Sequence, residues 1–203
     1  MTCRVDTNWT YHGLCAVRLE NKFIAVTVLP ERGGNIIDIT DKSRDRNLLW
    51  RSERIKPHAV TLKADFDDHW AGGWDDIFPT GRPCKNEYGD PLPYLGELWS
   101  IPHDFIVLQD NDDVVQIKTF VKTPITPAYF SRTITLQQDS DEVVFEYEIK
   151  NIGTMPFRFQ WGIHPVFAVT PQSRVILPSK SALVDEWLGG AFGEEGETFQ
   201  WPH

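Results

Sequence analysis

One histidine in the sequence has surroundings that suit proton transfer. His164 lies in the run Trp161-Gly162-Ile163-His164-Pro165, shortly after the turn residues Asn151, Gly153 and Pro156. An imidazole titrates near neutral pH, so His164 at the end of a strand could act as an acid or a base. Counting along the strand, we expect Trp161 on the same side as His164. A core histidine bonded to a backbone carbonyl explains the local sequence equally well.

Aromatic and acidic residues are interleaved in two earlier stretches, Trp74-Asp75-Asp76 and 94–99. Sugar sites combine these types, because aromatic rings cover the apolar face of a sugar and carboxylates accept from its hydroxyls. The residues predicted to contact a sugar are Trp74, Asp75, Arg82, Glu97, Trp99 and Trp161. Arg82 could donate paired hydrogen bonds to substrate oxygens, or form a surface ion pair. The alternative for the others is that the tryptophans fill the core and the carboxylates cap turns.

Other kinds of chemistry find little support. Carboxylates and a histidine cluster at 65–76, but Trp70 stands where a calcium loop needs its glycine, so we predict a solvated acidic loop and no metal. The sequence has no G-x-S-x-G elbow, no phosphate-binding loop and no dinucleotide fingerprint. We therefore predict no cofactor.

The composition indicates which binding partners and which cellular compartment to expect. The 203 residues carry a formal charge of -9 and no basic stripe, which argues against nucleic acid and against anionic membranes as partners. The three cysteines form neither a zinc pattern nor a disulfide framework, and we find no signal peptide or membrane span. We expect a cytoplasmic protein.

The elements that must position these residues are strands. Apolar and polar residues alternate over 115–119, 133–137 and 143–150, which predicts half-buried antiparallel strands. Continuous apolar residues over 23–29 predict a strand covered on both faces, and 35–40 predicts another. No long amphipathic helix is indicated, and 65–97 is predicted to be a long functional loop. The sequence thus predicts an all-β sandwich or barrel as a single domain over 1–203.

The C-terminal tail shows no closing strand to pair the last edge of such a sandwich. An unpaired edge is prone to association with another chain. We therefore expect a sandwich that is incomplete at its C-terminal end, and its open edge would favour a homodimer.

Four motifs in series resemble the galactose mutarotase-like (aldose 1-epimerase) superfamily. They occur in matching order between about residues 28 and 170. The motifs are Val28 to Ile36 followed by Asn47-Leu48-Leu49-Trp50, then Gly72 to Pro79, then Leu95-Gly96-Glu97-Leu98-Trp99, and last Asn151-Ile152-Gly153 with Trp161 to Phe167. The resemblance implies a β-supersandwich that interconverts the anomers of a sugar by ring opening, without a cofactor.

The resemblance also implies roles for residues. His164 matches the histidine that acts as general acid on the ring oxygen. Leu95 stands where the superfamily has a second histidine, and the glutamate that acts as base has no counterpart identified in this sequence. Two alternatives follow from these departures: a non-catalytic carbohydrate-binding module, or a fragment of a larger carbohydrate-active enzyme of the same fold.

Overall fold

The computed structural model describes residues 2–62, 64–185 and 192–201. The chain divides into two compact units, residues 1–168 and 169–203. The first unit contains all of the residues predicted from the sequence to be catalytic or to contact a sugar. The single domain over 1–203 stays a prediction.

The described residues form fifteen strands, one short α-helix and two 3-10 turns. The strands are β1 (Arg4–Tyr11), β2 (Leu14–Glu20), β3 (Ile24–Leu29), β4 (Asn35–Asp41), β5 (Arg46–Asn47), β6 (Trp74–Ile77), β7 (Cys84–Lys85), β8 (Pro91–Leu92), β9 (Asp104–Asp110), β10 (Val114–Lys122), β11 (Ala128–Gln137), β12 (Val144–Asn151), β13 (Gly162–Pro165), β14 (Ser181–Leu183) and β15 (Thr198–Gln200). The helix α1 covers Phe66–His69, and the 3-10 turns cover Pro30–Arg32 and Leu98–Ser100.

Two antiparallel sheets make up most of the first unit. The larger sheet has the order β1-β2-β3-β4-β6-β13, and β5 also pairs with β4. The smaller sheet has the order β12-β11-β10-β9. Strand β6 therefore joins the N-terminal meander to β13, which comes much later in the chain.

The main hydrophobic core lies between these sheets. Alternate residues of β2, β3 and β4 meet alternate residues of β10 and β11, because successive side chains of a strand point to opposite faces. The shared side chains include Val17, Leu19, Val26, Val28, Ile36, Val115, Ile117, Ile134 and Leu136. Pairing of two apolar sheet faces is the sandwich that the sequence predicted, and the all-β fold class is confirmed.

The strands predicted from alternation are confirmed as β10, β11 and β12, and the apolar runs as β3 and β4. Strand β3 is buried over most of its length, as expected for a strand covered on both faces. The predicted loop at 65–97 contains α1, β6, β7 and β8. The tail, for which no strand was predicted, contains the paired strands β14 and β15.

The helix content is small, as the sequence indicated. Helix α1 has four residues and is capped by the Asp65 carboxylate, which accepts from the amide of Asp67 at 2.9 Å. Asp67 and Asp68 are exposed beside it. None of the helices in the described ranges is long and apolar enough to span a membrane.

Candidate functional site

Strands β6 and β13 place His164 beside Asp75. The two residues are partners in the antiparallel register of these strands, so their side chains project from the same face of the sheet. Their neighbours project the other way: the Trp74 ring lies 4.8 Å from that of Phe145, and Asp76 bonds Arg132, both on the smaller sheet. The face that carries His164 is therefore the outer face of the larger sheet.

Two aromatic rings pack against His164. The imidazole centroid lies 6.0 Å from that of Phe66, the first residue of α1, and 5.8 Å from that of Trp70, which follows the helix. The Nδ1 atom of His164 is buried and has no hydrogen-bond partner among the described residues. The ring is thus held in place by apolar contacts, and its buried Nδ1 is left without a partner among the described residues.

The carboxylate of Asp75 is buried and only half satisfied. Its Oδ1 accepts a hydrogen bond of 2.8 Å from Nδ2 of Asn35, whereas its Oδ2 has no partner among the described residues. Burial raises the pKa of Asp75, and the charges of Arg32 and His164 and the Asn35 bond act in the opposite direction.

Arg32 supplies a buried positive charge next to Asp75. Its Nη1 donates to the carbonyl of Trp99, its Nη2 donates to that of His69 at 3.2 Å, and the guanidinium lies 4.9 Å from the Trp99 ring centroid. Burial lowers the pKa of Arg32 and the Asp75 carboxylate raises it. Arg32 ties the segment that carries Trp70 to the segment that carries Trp99.

The backbone around Arg32 explains how this side chain reaches the site. The 3-10 turn Pro30–Arg32 ends at Gly33, whose φ is 64°. A side chain at Gly33 would clash with the backbone of Trp99, so only glycine permits this close approach. Arg32 and Asn35 belong to the motif Val28 to Ile36, from which no role was predicted for either residue. The position of Arg32 between the apolar strands β3 and β4 is the sequence feature that could have indicated its buried role.

Glu97, one of the predicted sugar contacts, is fully buried and supports a loop. Its two carboxylate oxygens accept from the backbone amides of Ile125 at 2.7 Å and Thr126 at 3.0 Å. Burial raises the pKa of Glu97, and these two amides act in the opposite direction. Trp99 is also buried, and its Nε1 donates to the carbonyl of Tyr94 at 3.2 Å.

Trp74 and Trp161 lie away from His164. Trp74 belongs to the core between the sheets. Trp161 contacts Tyr147 of the smaller sheet at 4.8 Å between ring centroids. The expectation that Trp161 shares a side with His164 is wrong, because three positions along a strand separate opposite faces.

Arg82 and Leu95 lie in the loops after β6. Arg82 is exposed, and its amide donates to the Thr80 hydroxyl, which in turn donates to the Arg82 carbonyl at 2.7 Å. Leu95 is buried in an apolar cluster with Phe66 and Trp99. Leu95 is therefore a core side chain.

A second buried ionic group lies on the inner side of β6. Arg132 donates to Oδ2 of Asp76 at 2.7 Å and to the carbonyl of Gly34, and both charged side chains are almost fully buried. Burial raises the pKa of Asp76, and Arg132 acts against this. Burial and the Asp76 charge raise the pKa of Tyr147 well above its usual range. This group links the two sheets and is separate from the outer face.

The acidic loop offers no metal centre in this structure. Within the described ranges no three His, Cys, Asp or Glu side chains are arranged to hold a metal ion. The side chain of His69 instead contacts His58, with 2.8 Å between Nδ1 of His69 and Nε2 of His58.

Comparisons with known proteins identify the fold. A family described as a domain of unknown function (DUF5107) matches residues 6–95. A galactose mutarotase-like protein from Clostridium acetobutylicum is 14% identical with a TM-score of 0.58, covering 82% of this chain and 54% of that one. One from Lactobacillus casei ATCC 334 is 16% identical with a TM-score of 0.54, covering 76% and 50%.

A third solved structure has the same fold within a longer chain. It is a TPR-domain containing protein from Parabacteroides distasonis ATCC 8503, 17% identical with a TM-score of 0.53, covering 69% of this chain and 21% of that one. The chain thus has the galactose mutarotase-like fold, as the resemblance implied. It spans about half the length of the mutarotase-like proteins that it matches.

Proposed function

We propose that this protein binds a sugar on the outer face of the larger sheet and interconverts its anomers, as an isomerase of the aldose 1-epimerase type. The observation that carries the proposal is the register of β13 with β6, which sets His164 beside Asp75. Among the described residues, Nδ1 of His164 and Oδ2 of Asp75 have no hydrogen-bond partner. A positioned proton donor is the minimum that acid-assisted ring opening requires.

In the proposed reaction, protonated His164 donates its proton to the ring oxygen as the bond between that oxygen and the anomeric carbon breaks. The anomeric hydroxyl loses its proton to water, which leaves an aldehyde. Rotation about the adjacent carbon–carbon bond presents the other face of the aldehyde. The steps then reverse. The hydroxyl formed from the ring oxygen attacks the aldehyde carbon and returns its proton to His164. The aldehyde oxygen takes back a proton from the protonated water and becomes the new anomeric hydroxyl.

Water is the proposed base because no glutamate of this sequence was matched to the superfamily's base. Leu95 cannot accept a proton, and both oxygens of Glu97 already accept backbone amides. One positioned acid contributes about 10²–10⁴-fold to a rate, so a modest acceleration is expected. We assign Asp75 as a positioning residue, keep Arg82 as a proposed substrate contact, and assign Glu97 and Trp99 to the support of the site.

The test is anomer exchange by NMR magnetisation transfer on a panel of aldoses, uronates and sugar phosphates. We expect acceleration above the buffer rate, and we expect His164→Asn to abolish it. His12→Asn is a matched control, because His12 lies in the β1–β2 turn with a φ of 52°, which asparagine tolerates. Exchange that survives His164→Asn in a folded protein would remove His164 from the proposed role.

A non-catalytic carbohydrate-binding module is the second candidate. It is supported by Leu95 in the place of the second histidine and by the engagement of Glu97 with the backbone. Such a module would change its tryptophan fluorescence with sugar while the exchange rate stayed at the buffer value. That combination of results would replace the isomerase proposal with this one.

We further propose a reducing, cytoplasmic location for the protein. The described cysteines Cys3, Cys15 and Cys84 are all free thiols, which supports this compartment.

A further inference from the structure

A concave surface lies on the first unit, and neither His164 nor Asp75 lines it. It has a volume of about 430 Å³, and its walls come from the end of β1 and from the chain between β5 and α1. We call it the Trp50 cleft, after the exposed indole that forms part of its wall. Its volume lies within the roughly 300–1,000 Å³ range of small-molecule pockets.

The indole of Trp50 is fixed in place and yet 41% exposed. The backbone amide of Trp50 donates to Val166 at 2.7 Å, and its carbonyl accepts from Gly73 at 2.9 Å. Gly72 packs beneath the ring so closely that a side chain there would lie 2.9 Å from Cε3. A rigid, exposed aromatic face loses little conformational entropy when a ligand covers it.

The rim of the cleft carries polar groups of both signs. Nη1 of Arg51 donates to the Tyr11 hydroxyl at 3.1 Å. Oδ1 of Asn47 accepts from two backbone amides, and its Nδ2 has no partner among the described residues. Within the same described ranges, no ion pair of Glu53 or Lys56 is found. Neutral, polyhydroxylated ligands suit such a rim better than strongly charged ones, because both donors and acceptors are offered beside an aromatic face.

The cleft adjoins the His164 group through one side chain. The ring of Trp70 lies 5.6 Å from that of Trp50 and 5.8 Å from that of His164, between centroids. A ligand that reaches His164 with one end can therefore extend over Trp70 and enter the cleft with the other. A single monosaccharide cannot occupy both places, whereas two linked sugar rings can.

We propose that the Trp50 cleft binds the second ring of a reducing oligosaccharide whose reducing end lies at His164. This inference rests on the proposed function for the position of the reducing end. It specifies the substrate class as reducing disaccharides and longer chains. Trp50 provides the stacking face, and Arg51 and Tyr11 provide hydrogen bonds to the hydroxyls.

The experiment compares maltose, cellobiose and lactose with glucose and galactose, using calorimetry for affinity and NMR for anomer exchange. We expect at least one disaccharide to bind more tightly than its monosaccharides. Trp50→Ala should weaken disaccharide binding about tenfold, the effect typical of removing a central aromatic contact. Trp50→Phe should retain most of the affinity because it keeps an aromatic face.

Trp9→Ala serves as the matched control, because Trp9 is similarly exposed on β1 but does not line the cleft. Circular dichroism and urea unfolding establish that each variant is folded. If monosaccharides and disaccharides bind equally and Trp50→Ala changes neither, the cleft proposal is overturned, whether or not exchange is accelerated. If disaccharide binding depends on Trp50 but no exchange is accelerated, the cleft is supported and the isomerase proposal fails.

Discussion

At the scale of single residues, Asp75 and Asp76 are neighbours in sequence with different environments. Asp75 meets Asn35 and lies near Arg32 on the outer face, whereas Asp76 meets Arg132 between the sheets. Removing one partner of a buried ion pair leaves the other charge uncompensated, at a cost of about 3–5 kcal/mol. The strand alternation alone assigns the two carboxylates to opposite faces, but only the sheet order shows which of them faces the smaller sheet.

His103 makes the stability depend on pH. Burial and the nearby positive charge of Arg132 lower the pKa of His103 to about 3. In the unfolded chain a histidine has a pKa of about 6.5. Between pH 6.5 and 3 this histidine therefore binds a proton in the unfolded state but not in the folded state. The free energy of unfolding thus falls as the pH drops from 6.5 towards 3.

We expect this histidine to contribute a slope of up to about 1.4 kcal/mol per pH unit to the free energy of unfolding in that window. Urea unfolding at pH 7, 6 and 5 measures the slope in the wild type and in His103→Gln. The variant keeps the buried carboxyls and should show a flatter dependence on pH. Equal slopes in the two proteins would mean that His103 is already protonated in the folded state or has a normal pKa.

The proposed site combines residues that the sequence predicted with one to which it gave no role. His164 was predicted from its local motif, and Asp75 from its place among aromatics. Arg32 received no role, because its contacts with Trp99 and His69 join segments that are distant in sequence. Glu97 carried the same motif signal as Asp75, yet its partners are backbone amides of a loop whose position no motif encodes.

At the scale of elements, β6 is a short strand that organises the outer face. It pairs with β13 over four residues and touches β4 at one. Its sequence, Trp-Asp-Asp-Ile, shows neither apolar alternation nor a continuous apolar run, which is why the sequence predicted a loop there. Contacts with strands on both sides override this weak local preference.

The turn before Glu97 depends on a glycine. Gly96 has a φ of 75°, and a side chain there would clash with the carbonyl oxygen of Phe78, to which Glu97 donates at 2.7 Å. Gly89 has a similar φ of 89° but open space around it. Gly89→Ala should therefore lower the free energy of unfolding by about 1–2 kcal/mol, the cost of holding a non-glycine residue in the left-handed backbone conformation.

Gly96→Ala adds the clash with Phe78 and displaces Glu97. It should therefore lower the free energy of unfolding by more, near the 4–5 kcal/mol that marks the most damaging substitutions. Urea denaturation of the two variants measures the difference. Similar losses at the two positions would show that the loop can move away from Phe78 without cost.

At the scale of the whole molecule, the sequence indicated five of the main strands, β3, β4, β10, β11 and β12, but not β1, β2 or β9. It did not indicate the order of the strands in the sheets. Alternating patterns are local, so β10, β11 and β12 could be located individually. The pairing of β13 with β6 could not, because it depends on long-range contacts that a periodic pattern does not specify.

Exposed apolar side chains on β13 and on the segments directly before and after it predict self-association. Phe159, Trp161, Ile163 and Phe167 are each more than 40% exposed. Exposed apolar groups on an edge strand favour association, whereas the charge of -9 opposes it through repulsion that salt screens. Sedimentation velocity should therefore show association that increases with protein concentration and with salt.

Ile163→Lys should reduce this association. Leu108→Lys is the matched control, because Leu108 is 44% exposed on β9, at the far edge of the smaller sheet. An equal reduction by both variants would mean that the interaction is not centred on β13. Association that is independent of both would leave the exposed residues of β13 without the proposed role.

The pairing of β13 with β6 also has a consequence for folding kinetics. The β1 to β4 meander and the β9 to β12 meander each form from neighbouring segments, whereas joining residue 162 to residue 77 closes a long loop. Contacts that are distant in sequence form slowly because the loss of chain entropy precedes the gain in contacts. The two meanders can therefore assemble first, and the juxtaposition of His164 with Asp75 is among the last features of the native state to appear.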